Sequence, residues 1–564
     1  MLVTVALLHL PSQFHLGNQK QEMSDNDKYI FYGGRLKSNI HCGCSSLAAL
    51  IIQRLKEHGN DVAFIDAVSG RTLTYKEILY ASMKVASRLK HYGLGRGSII
   101  SIMSENRLEY SIVAFASFFV GGIVIPLNPT YTKTELKHVL NLTNPQIVFA
   151  SSRAFSTLKS FMSENQSIKF IVSIDDVDNE SNVKSFGEFV NCDKDVNIIP
   201  DPVILKNDVA IMVLSSGTTG LPKAVQLTHF NVMTVVAYMR EDPRYNELSV
   251  PIRLLGLLPF YHVYGFMLML NVCCNRYSMV VLPRFEPDLF LRSIQDYKVT
   301  MANLVPPLVV FLAKHPFVER YDLSSLQAVL CGAAPLSMDI ELQVVRRLPQ
   351  IQNIRVGYGM SEASLGVISK INGKPGTVGR VHKTTWVKVV DTDTGKTLGP
   401  YQIGEICIKG PLVMKGYYKN EQATQETIDA EGWLHSGDTG YFDDEEDFFI
   451  VDRIKDLIKY KGFQVAPAEV EDVLLSHPKI RDAAVVGIPD ENSGELPAAF
   501  VVLQDGVQEL SATDVQRIVA SKLSAQKHIR GGVYFVKEIP KTGSGKILRR
   551  ELKDRIMRRE KSKL

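Results

Sequence analysis

At 564 residues, 45% of them hydrophobic, the chain can bury a large core and divide into more than one domain. A net charge of +4 gives no reason to expect a nucleic acid as partner. The seven cysteines, Cys42, Cys44, Cys192, Cys273, Cys274, Cys331 and Cys407, lack the pair-of-pairs spacing of a zinc site; their odd number and scatter fit reduced thiols in an intracellular compartment.

Residues 1–46 read as an N-terminal extension, partly disordered. Its apolar start, Leu2–Leu10, has no Lys or Arg before it and no small-x-small cleavage site after it, which argues against a secretory signal, and Met23 is an alternative start. From Leu47 helices and short apolar strands alternate, at Leu47–His58, Ala63–Ile65, Tyr75–Tyr92 and Ile99–Met103, the rhythm of an α/β domain without internal repeats. The apolar run Ser111–Leu127 is interrupted by Gly121, Gly122 and Pro126, so it predicts a core helix followed by a buried strand rather than a membrane span. Asn128-Pro129-Thr130-Tyr131 predicts a turn before a helix at Thr134–Leu142. Residues 151–207 read as polar and irregular.

The strand-like Val209–Leu214 runs into Ser215-Ser216-Gly217-Thr218-Thr219-Gly220-Leu221-Pro222-Lys223-Ala224-Val225, and Asn231 is a candidate N-cap for a helix over Val232–Arg240. Such glycines let a backbone approach closely, the hydroxyls and amides point at oxygens, and Lys223 adds charge: the composition of a phosphate cradle. It is not a Walker loop, whose glycine spacing and Gly-Lys-Ser/Thr ending are absent. Further on, Leu258–Phe266 carries His262 among aromatics. Ala328–Cys331 predicts a strand ending in Gly332-Ala333-Ala334, with Ser337 capping a helix over Met338–Leu348. Ile354–Val356 leads into Gly357-Tyr358-Gly359-Met360-Ser361-Glu362, and Gly432–Gly440 contains Asp438. Composition then shifts through the acidic turn Asp443–Asp447 to a charged connector, Asp452-Arg453-Ile454-Lys455-Asp456. Beyond it, Lys459, Lys461, Gly462 and Gln464 precede a helix start at Pro467. Strand-like runs at Ala483–Ile488, Ala498–Leu503 and Gly532–Val536 and the loop Pro540–Lys546 complete a tail that reads as an α+β domain of about 110 residues.

The 215–225 run, with the Tyr358–Glu362, Asp438, Arg453–Lys455 and Lys546 segments behind it in order, resembles the signatures of the adenylate-forming superfamily: acyl-CoA synthetases, 4-coumarate–CoA ligases, beetle luciferases and peptide-synthetase adenylation domains. The usual loop ends Pro-Lys-Gly-Val, so Ala224 departs from it, tolerably unless that position needs a positive φ. The resemblance implies an α/β fold: a large N-terminal AMP-binding domain over 47–452, made of β-sheets flanked by helices plus a β-barrel-like subdomain, a hinge at 453–455, and a small mobile α+β C-terminal domain over 456–564. It also implies roles. Ser215, Ser216, Gly217, Thr218, Thr219, Gly220 and Lys223 would hold the phosphates of ATP. Gly332, Ala333 and Ala334 would flank adenine or acyl chain. Gly357, Tyr358, Gly359, Met360 and Ser361 would form the second nucleotide motif, with Tyr358 on adenine and Ser361 on phosphate; Glu362 would help hold Mg²⁺. Asp438 and Arg453 would reach the ribose, Lys455 would be the pivot, and His262 would line the acyl pocket. Lys546 would bridge carboxylate and α-phosphate, while Lys459 and Gly462 would serve a later thioester step with coenzyme A, and Lys461 and Gln464 would join the cofactor-binding set.

On this reading the substrate is a carboxylic acid, fatty or aromatic, since Tyr261, Val263, Tyr264, Ala333 and Leu365 suggest an apolar pocket. The alternatives are a luciferase-type monooxygenase, a peptide-synthetase module and a non-catalytic relative. Luciferases generally carry a small hydroxyl residue where this chain has Leu365, which favours the plain ligase. The final Ser562-Lys563-Leu564 has the form of a peroxisomal address, read by an import receptor.

Overall fold

The structure is a computed structural model that describes residues 28–37, 40, 43–162, 168–175, 183–191, 199–215, 222–242, 250–371, 373–490, 492–504, 506, 510–542 and 545–561. The run Ile99–Met103 is buried at every residue, as a strand covered on both faces must be, and pairs in parallel with Ile123–Leu127 and Ile147–Ala150. They centre an eight-stranded sheet whose order continues on one side through Phe170–Ser173 to Val183–Ser185, and on the other through Val209–Ser215 and Lys223–Thr228 to Gly416–Tyr417. A second sheet has nine strands, in the order Arg380–Val381, Gly366–Ser369, Ile354–Gly359, Ala328–Cys331, Met301–Leu304, Arg253–Gly256, Ser278–Val281, Val62–Asp66, Thr72–Thr74. The interrupted apolar run resolves as expected into helix Glu109–Phe119, buried on all faces, and strand Ile123–Leu127. Among the described residues no helix is long and apolar enough to cross a membrane.

A third, antiparallel sheet is the barrel-like part: Phe31–Tyr32, Trp386–Val390, Gly404–Lys409, Leu434–Phe442 and Phe448–Arg453. Its first strand comes from the stretch read as extension. Phe31 and Tyr32 pair with Val387 and Trp386, and the Phe31 ring packs edge-on to Phe442 and Phe448 at 4.6 and 5.3 Å. The C-terminal domain has its own sheet around the long hairpin Ile480–Asp490 and Gly494–Leu503, with helices Pro467–Ser476 and Ala512–Lys522.

Three local expectations change. Residues 151–207 are not irregular: Ser152–Met162 is a helix, and strands Phe170–Ser173 and Val183–Ser185 extend the first sheet. The expected phosphate loop does not lead from strand to helix. Val209–Ser215 and Lys223–Thr228 pair antiparallel with Lys223 opposite Ser215, so the described arms on both sides of the stretch are strands and Lys223 begins a strand rather than a helix. The helix starts earlier and ends later than read, over His229–Glu241, and its N-cap is Thr228. Asn231 is the third helical residue of a capping box, and its amide nitrogen is left to donate to Pro411 and Val413 carbonyls at 2.8 and 3.0 Å. Ser337 does stand at the N-cap of Met338–Arg347, but its hydroxyl makes no capping bond.

Candidate active site

Ser216, Gly217, Thr218, Thr219 and Gly220 lie outside the described residues, as do Ser562-Lys563-Leu564. The hairpin arms that carry the loop are described. Ala224 has extended backbone and a buried methyl group opposite Leu214, so its departure from glycine costs nothing in φ. Lys223 Nζ lies 4.8 Å above the Tyr417 ring. Tyr417 pairs with Val225 across the hairpin's edge, and its hydroxyl donates to Glu362 Oε1 at 2.9 Å. Tyr417 is thus the joint between loop and carboxylate. Its side chain was not identified from sequence, because the strand that places it, Gly416–Tyr417, is two residues long and gains meaning only by pairing.

Strands Ala328–Cys331 and Ile354–Gly359 run side by side in parallel with Cys331 level with Val356, so the second strand reaches three residues further. Ala333 takes a left-handed φ of 74°, and a Cβ on Gly332 would stand 3.3 Å from the Tyr264 ring and 3.4 Å from the Gly357 carbonyl. At Gly359 a Cβ would meet the Leu365 carbonyl oxygen at 1.8 Å, so only glycine lets the chain fold back there. That fold-back contains the short 3₁₀ turn Ser361–Ala363, which follows Met360 and buries Glu362. Glu362 accepts one hydrogen bond, at Oε1, and the Met414 amide donates to its main-chain carbonyl at 2.8 Å. A single carboxylate with a second oxygen available fits a hard divalent ion that completes its shell with phosphate oxygens and water.

Asp438 is set by the barrel. It lies opposite Arg453 in the antiparallel register, with Arg453 Nε 3.3 Å from Oδ1, and the Tyr358 hydroxyl donates to Oδ2 at 2.8 Å. Burial raises the Asp438 pKa, opposed by Arg453 and the Tyr358 hydrogen bond. Two carboxylate oxygens offer about four acceptor sites, so both retain capacity for a diol. Behind this strand His435 Nδ1 meets Glu405 Oε2 at 2.8 Å, and Glu405 Oε1 accepts the Gly437 amide at 2.9 Å, fixing the turn that presents Asp438.

Lys546 arrives from the C-terminal domain on a loop pinned by Thr542: the Thr542 amide donates to the Lys546 carbonyl at 2.8 Å and the Lys546 amide to Thr542 Oγ1 at 3.1 Å. Gly545 beside it has φ 83°, and a Cβ there would press Val305 Cγ2 at 3.1 Å, which is how close the loop comes to the large domain. Burial lowers the Lys546 pKa, Arg453 lowers it further, and Asp438 and Glu362 oppose both. The two carboxylates and this lysine therefore face one another electrostatically. A cavity of about 480 Å³ brings together Ala333, Ala334, Gly357–Gly359, Asp438, Arg453 and Lys546. Lys223, Glu362 and His262 lie outside its lining. His262 is the N-cap of helix Val263–Asn275, its Nδ1 accepting the Tyr264 amide at 3.4 Å, and burial followed by the nearby Lys546 charge pushes its pKa down to about 4. It is a neutral imidazole at neutral pH.

Lys455 is exposed at the turn after Arg453. Lys459, Lys461, Gly462 and Gln464 are not brought to this cleft: they are exposed on the short hairpin Ile458–Tyr460 and Phe463–Val465 and do not line the cavity. The domain arrangement that inserts Lys546 leaves that hairpin facing solvent, with Gln464 outside the cleft.

A family model described as AMP-binding enzyme matches residues 52–418, and one described as AMP-binding enzyme C-terminal domain matches 469–546. The luciferin 4-monooxygenase of Photinus pyralis is 39% identical over 507 residues, covering 89% of this chain and 92% of that protein. The 4-coumarate–CoA ligase 1 of Narcissus pseudonarcissus is 38% identical over 521 residues, covering 90% and 93%. In fold the chain is similar to ATP-bound MatB from Rhodopseudomonas palustris, with a TM-score of 0.79, 26% identity, and coverage of 90% of this chain and 99% of that one. The chain belongs to the adenylate-forming superfamily of AMP-binding enzymes, with luciferases and 4-coumarate–CoA ligases among its relatives.

Proposed function

We propose that this protein activates an apolar or aromatic carboxylic acid with ATP and passes the acyl group to coenzyme A. The observation that carries the reading is that Lys546, delivered by one domain, lines the same cavity as Asp438 of the other. In the first step a carboxylate oxygen bonds to the α-phosphorus while the bond to pyrophosphate breaks. Two anions must meet, so positive charge and positioning dominate. Asp438 takes the ribose hydroxyls, Lys223 and the hairpin tip take the phosphates, and Lys546 offsets the charge between acid and α-phosphate. Mg²⁺, held by Glu362 and phosphate oxygens, would offset charge on the leaving pyrophosphate. In the second step a thiol sulfur bonds to the acyl carbon and AMP leaves. This step calls for a turn at Lys455 that withdraws Lys546 and brings in Lys459 and Gly462.

Luciferase-type oxygenation is the second reading, favoured by the 39% identity to a luciferin 4-monooxygenase. The aliphatic Leu365 weighs against it, because luciferases generally carry a small hydroxyl residue at that place. We further propose import into the peroxisomal matrix through Ser562-Lys563-Leu564. Pyrophosphate release should be measured over a panel of carboxylic acids, with and without coenzyme A, beside light emission from luciferin, ATP and oxygen. Release without any CoA-dependent thioester, or light above that of a ligase control, would sink the ligase reading. A reporter carrying the last dozen residues, with and without the final three, tests the address.

A further inference from the structure

The C-terminal domain docks through helix Pro467–Ser476, and the large domain grips both of its ends. At the N-terminus no side chain of the helix's own segment caps it; instead Asp452 Oδ2, from the last barrel strand, accepts the Ala468 amide at 2.9 Å. At the other end Lys314, the last residue of helix Pro306–Lys314, donates from Nζ to the Leu475 carbonyl at 2.7 Å and to the Ile480 carbonyl at 3.3 Å. A carboxylate at the positive end and an ammonium at the negative end is the favourable pairing for a helix dipole. Lys314 is itself held on a firm base, since Arg347 donates to the Leu312 and Ala313 carbonyls at 3.3 and 3.0 Å. The opposite end of the same helix begins at Val305, which touches Gly545 next to Lys546.

We propose that Lys314 and Asp452 are positioning residues that clamp the two ends of helix Pro467–Ser476 and so hold the C-terminal domain where Lys546 enters the cleft. Both line the cavity that holds Asp438 and Lys546, and the role proposed for them is exerted on the helix rather than on the reacting atoms. Because the clamp joins the domains across the hinge, it must break before the lid can turn, and its strength sets the share of molecules ready for adenylation. The proposal rests on the two-step reading given above, but its first readout does not.

The full chain would carry one fluorophore on each domain, and inter-domain energy transfer would be compared in the parent, Lys314→Met, Lys314→Arg and Asp452→Asn. Loss of hydrogen bonds from a charged group should move the closed–open balance about ten- to a hundredfold toward open in Lys314→Met. Lys314→Arg should retain most of the closed population. ATP–pyrophosphate exchange should fall in step with that population, with the KM for ATP little changed, while thioester formation from supplied acyl-adenylate holds or rises. Unchanged energy transfer in both Lys314→Met and Asp452→Asn would overturn the clamp. So would opening without any loss of exchange, or an equal loss in both half-reactions. If the parent exchanges no pyrophosphate with any acid, the function reading fails alone, and the energy-transfer arm still decides the clamp.

Discussion

Lys546→Ala should separate the two half-reactions. Lys546 lines the same cavity as Asp438 and its charge is attracted by Asp438 and Glu362; for scale, an opposite charge at about 4 Å is worth about 4 kcal/mol at an effective dielectric near 20, as against about 1 kcal/mol in water, and less at greater separation. Part of that attraction is already present in the ground state, so the loss specific to the transition state should match that of one preorganised donor, about 3–4 kcal/mol, or about a hundred- to a thousandfold in rate. The fold should not suffer. Burial is the main influence on Lys546 and lowers its pKa, which means that the charge is costly where it lies, and alanine removes that cost. The assay is ATP–pyrophosphate exchange beside thioester formation from preformed acyl-adenylate, with thermal unfolding as control. Exchange should collapse, thioester formation should stay within about threefold, and the melting temperature should hold or rise. Equal loss in both steps would refute the reasoning, because it would make Lys546 a general structural element rather than the charge of one step.

Three further outcomes follow from the geometry. Tyr417→Phe keeps the ring under Lys223 but removes the hydroxyl that donates to Glu362; a hydrogen bond to a charged group is worth about 1.5–3 kcal/mol, so exchange should drop at least about tenfold and demand more Mg²⁺, as a metal titration would record. Gly359→Ala forces a methyl group into the Leu365 carbonyl and should destabilise the large domain by about 1–3 kcal/mol in urea unfolding, with exchange lost through displacement of Glu362. The third concerns pH. Asp472 faces Glu471, Glu469 and, across the domain boundary, Asp339, and burial with these like charges pushes its pKa up to about 7. A raised carboxyl pKa penalises the closed form when ionised: the penalty is complete above about pH 7 and fades as pH falls toward the ordinary value near 4. Inter-domain energy transfer should therefore report more closed molecules at about pH 5.5 than at 8, and Asp472→Asn should flatten the profile.

Much of the site was legible because its residues are consecutive. Gly357–Glu362 is a strand end, a fold-back and a carboxylate in six residues, and Asp438 sits inside its own motif. What failed was local geometry that only pairing decides. Asn231 follows a strand and has the right side chain for an N-cap, yet Thr228 three residues earlier closes a capping box and frees Asn231 to tie down 411–413. The loop at 215–223 has the composition of a strand–helix phosphate cradle, but Ser215 and Lys223 are cross-strand neighbours in a hairpin, and sequence alone does not distinguish the two. Tyr417 was invisible for the same reason. Residues 28–37 looked like extension because a two-residue strand carries no periodicity, although Phe31 packs against Phe442 and Phe448 of the third sheet. The C-terminal motif residues divide for a different cause: on the proposed two-step reading Lys546 and Lys459 would serve one cleft by turns, and this arrangement brings only Lys546 to it.

That division explains the chemistry of the domain boundary. Each domain has its own apolar core among the described residues: one cluster runs from Leu47 to Phe448, and the clusters of the small domain are built from residues beyond Ile458. None of them spans the hinge. Burial of apolar area is large and non-directional, and a lid held by it would stay wherever it first closed. Among the described residues the contacts that cross include a carboxylate on a helix N-terminus, an ammonium on two carbonyls and a glycine against Val305. Water can replace every one of the polar bonds at a net difference of about 1 kcal/mol each. A boundary of that kind is strong enough to aim Lys546 and weak enough to be remade in every turnover, which is what the proposed two-step reaction, adenylate first and thioester second, would require.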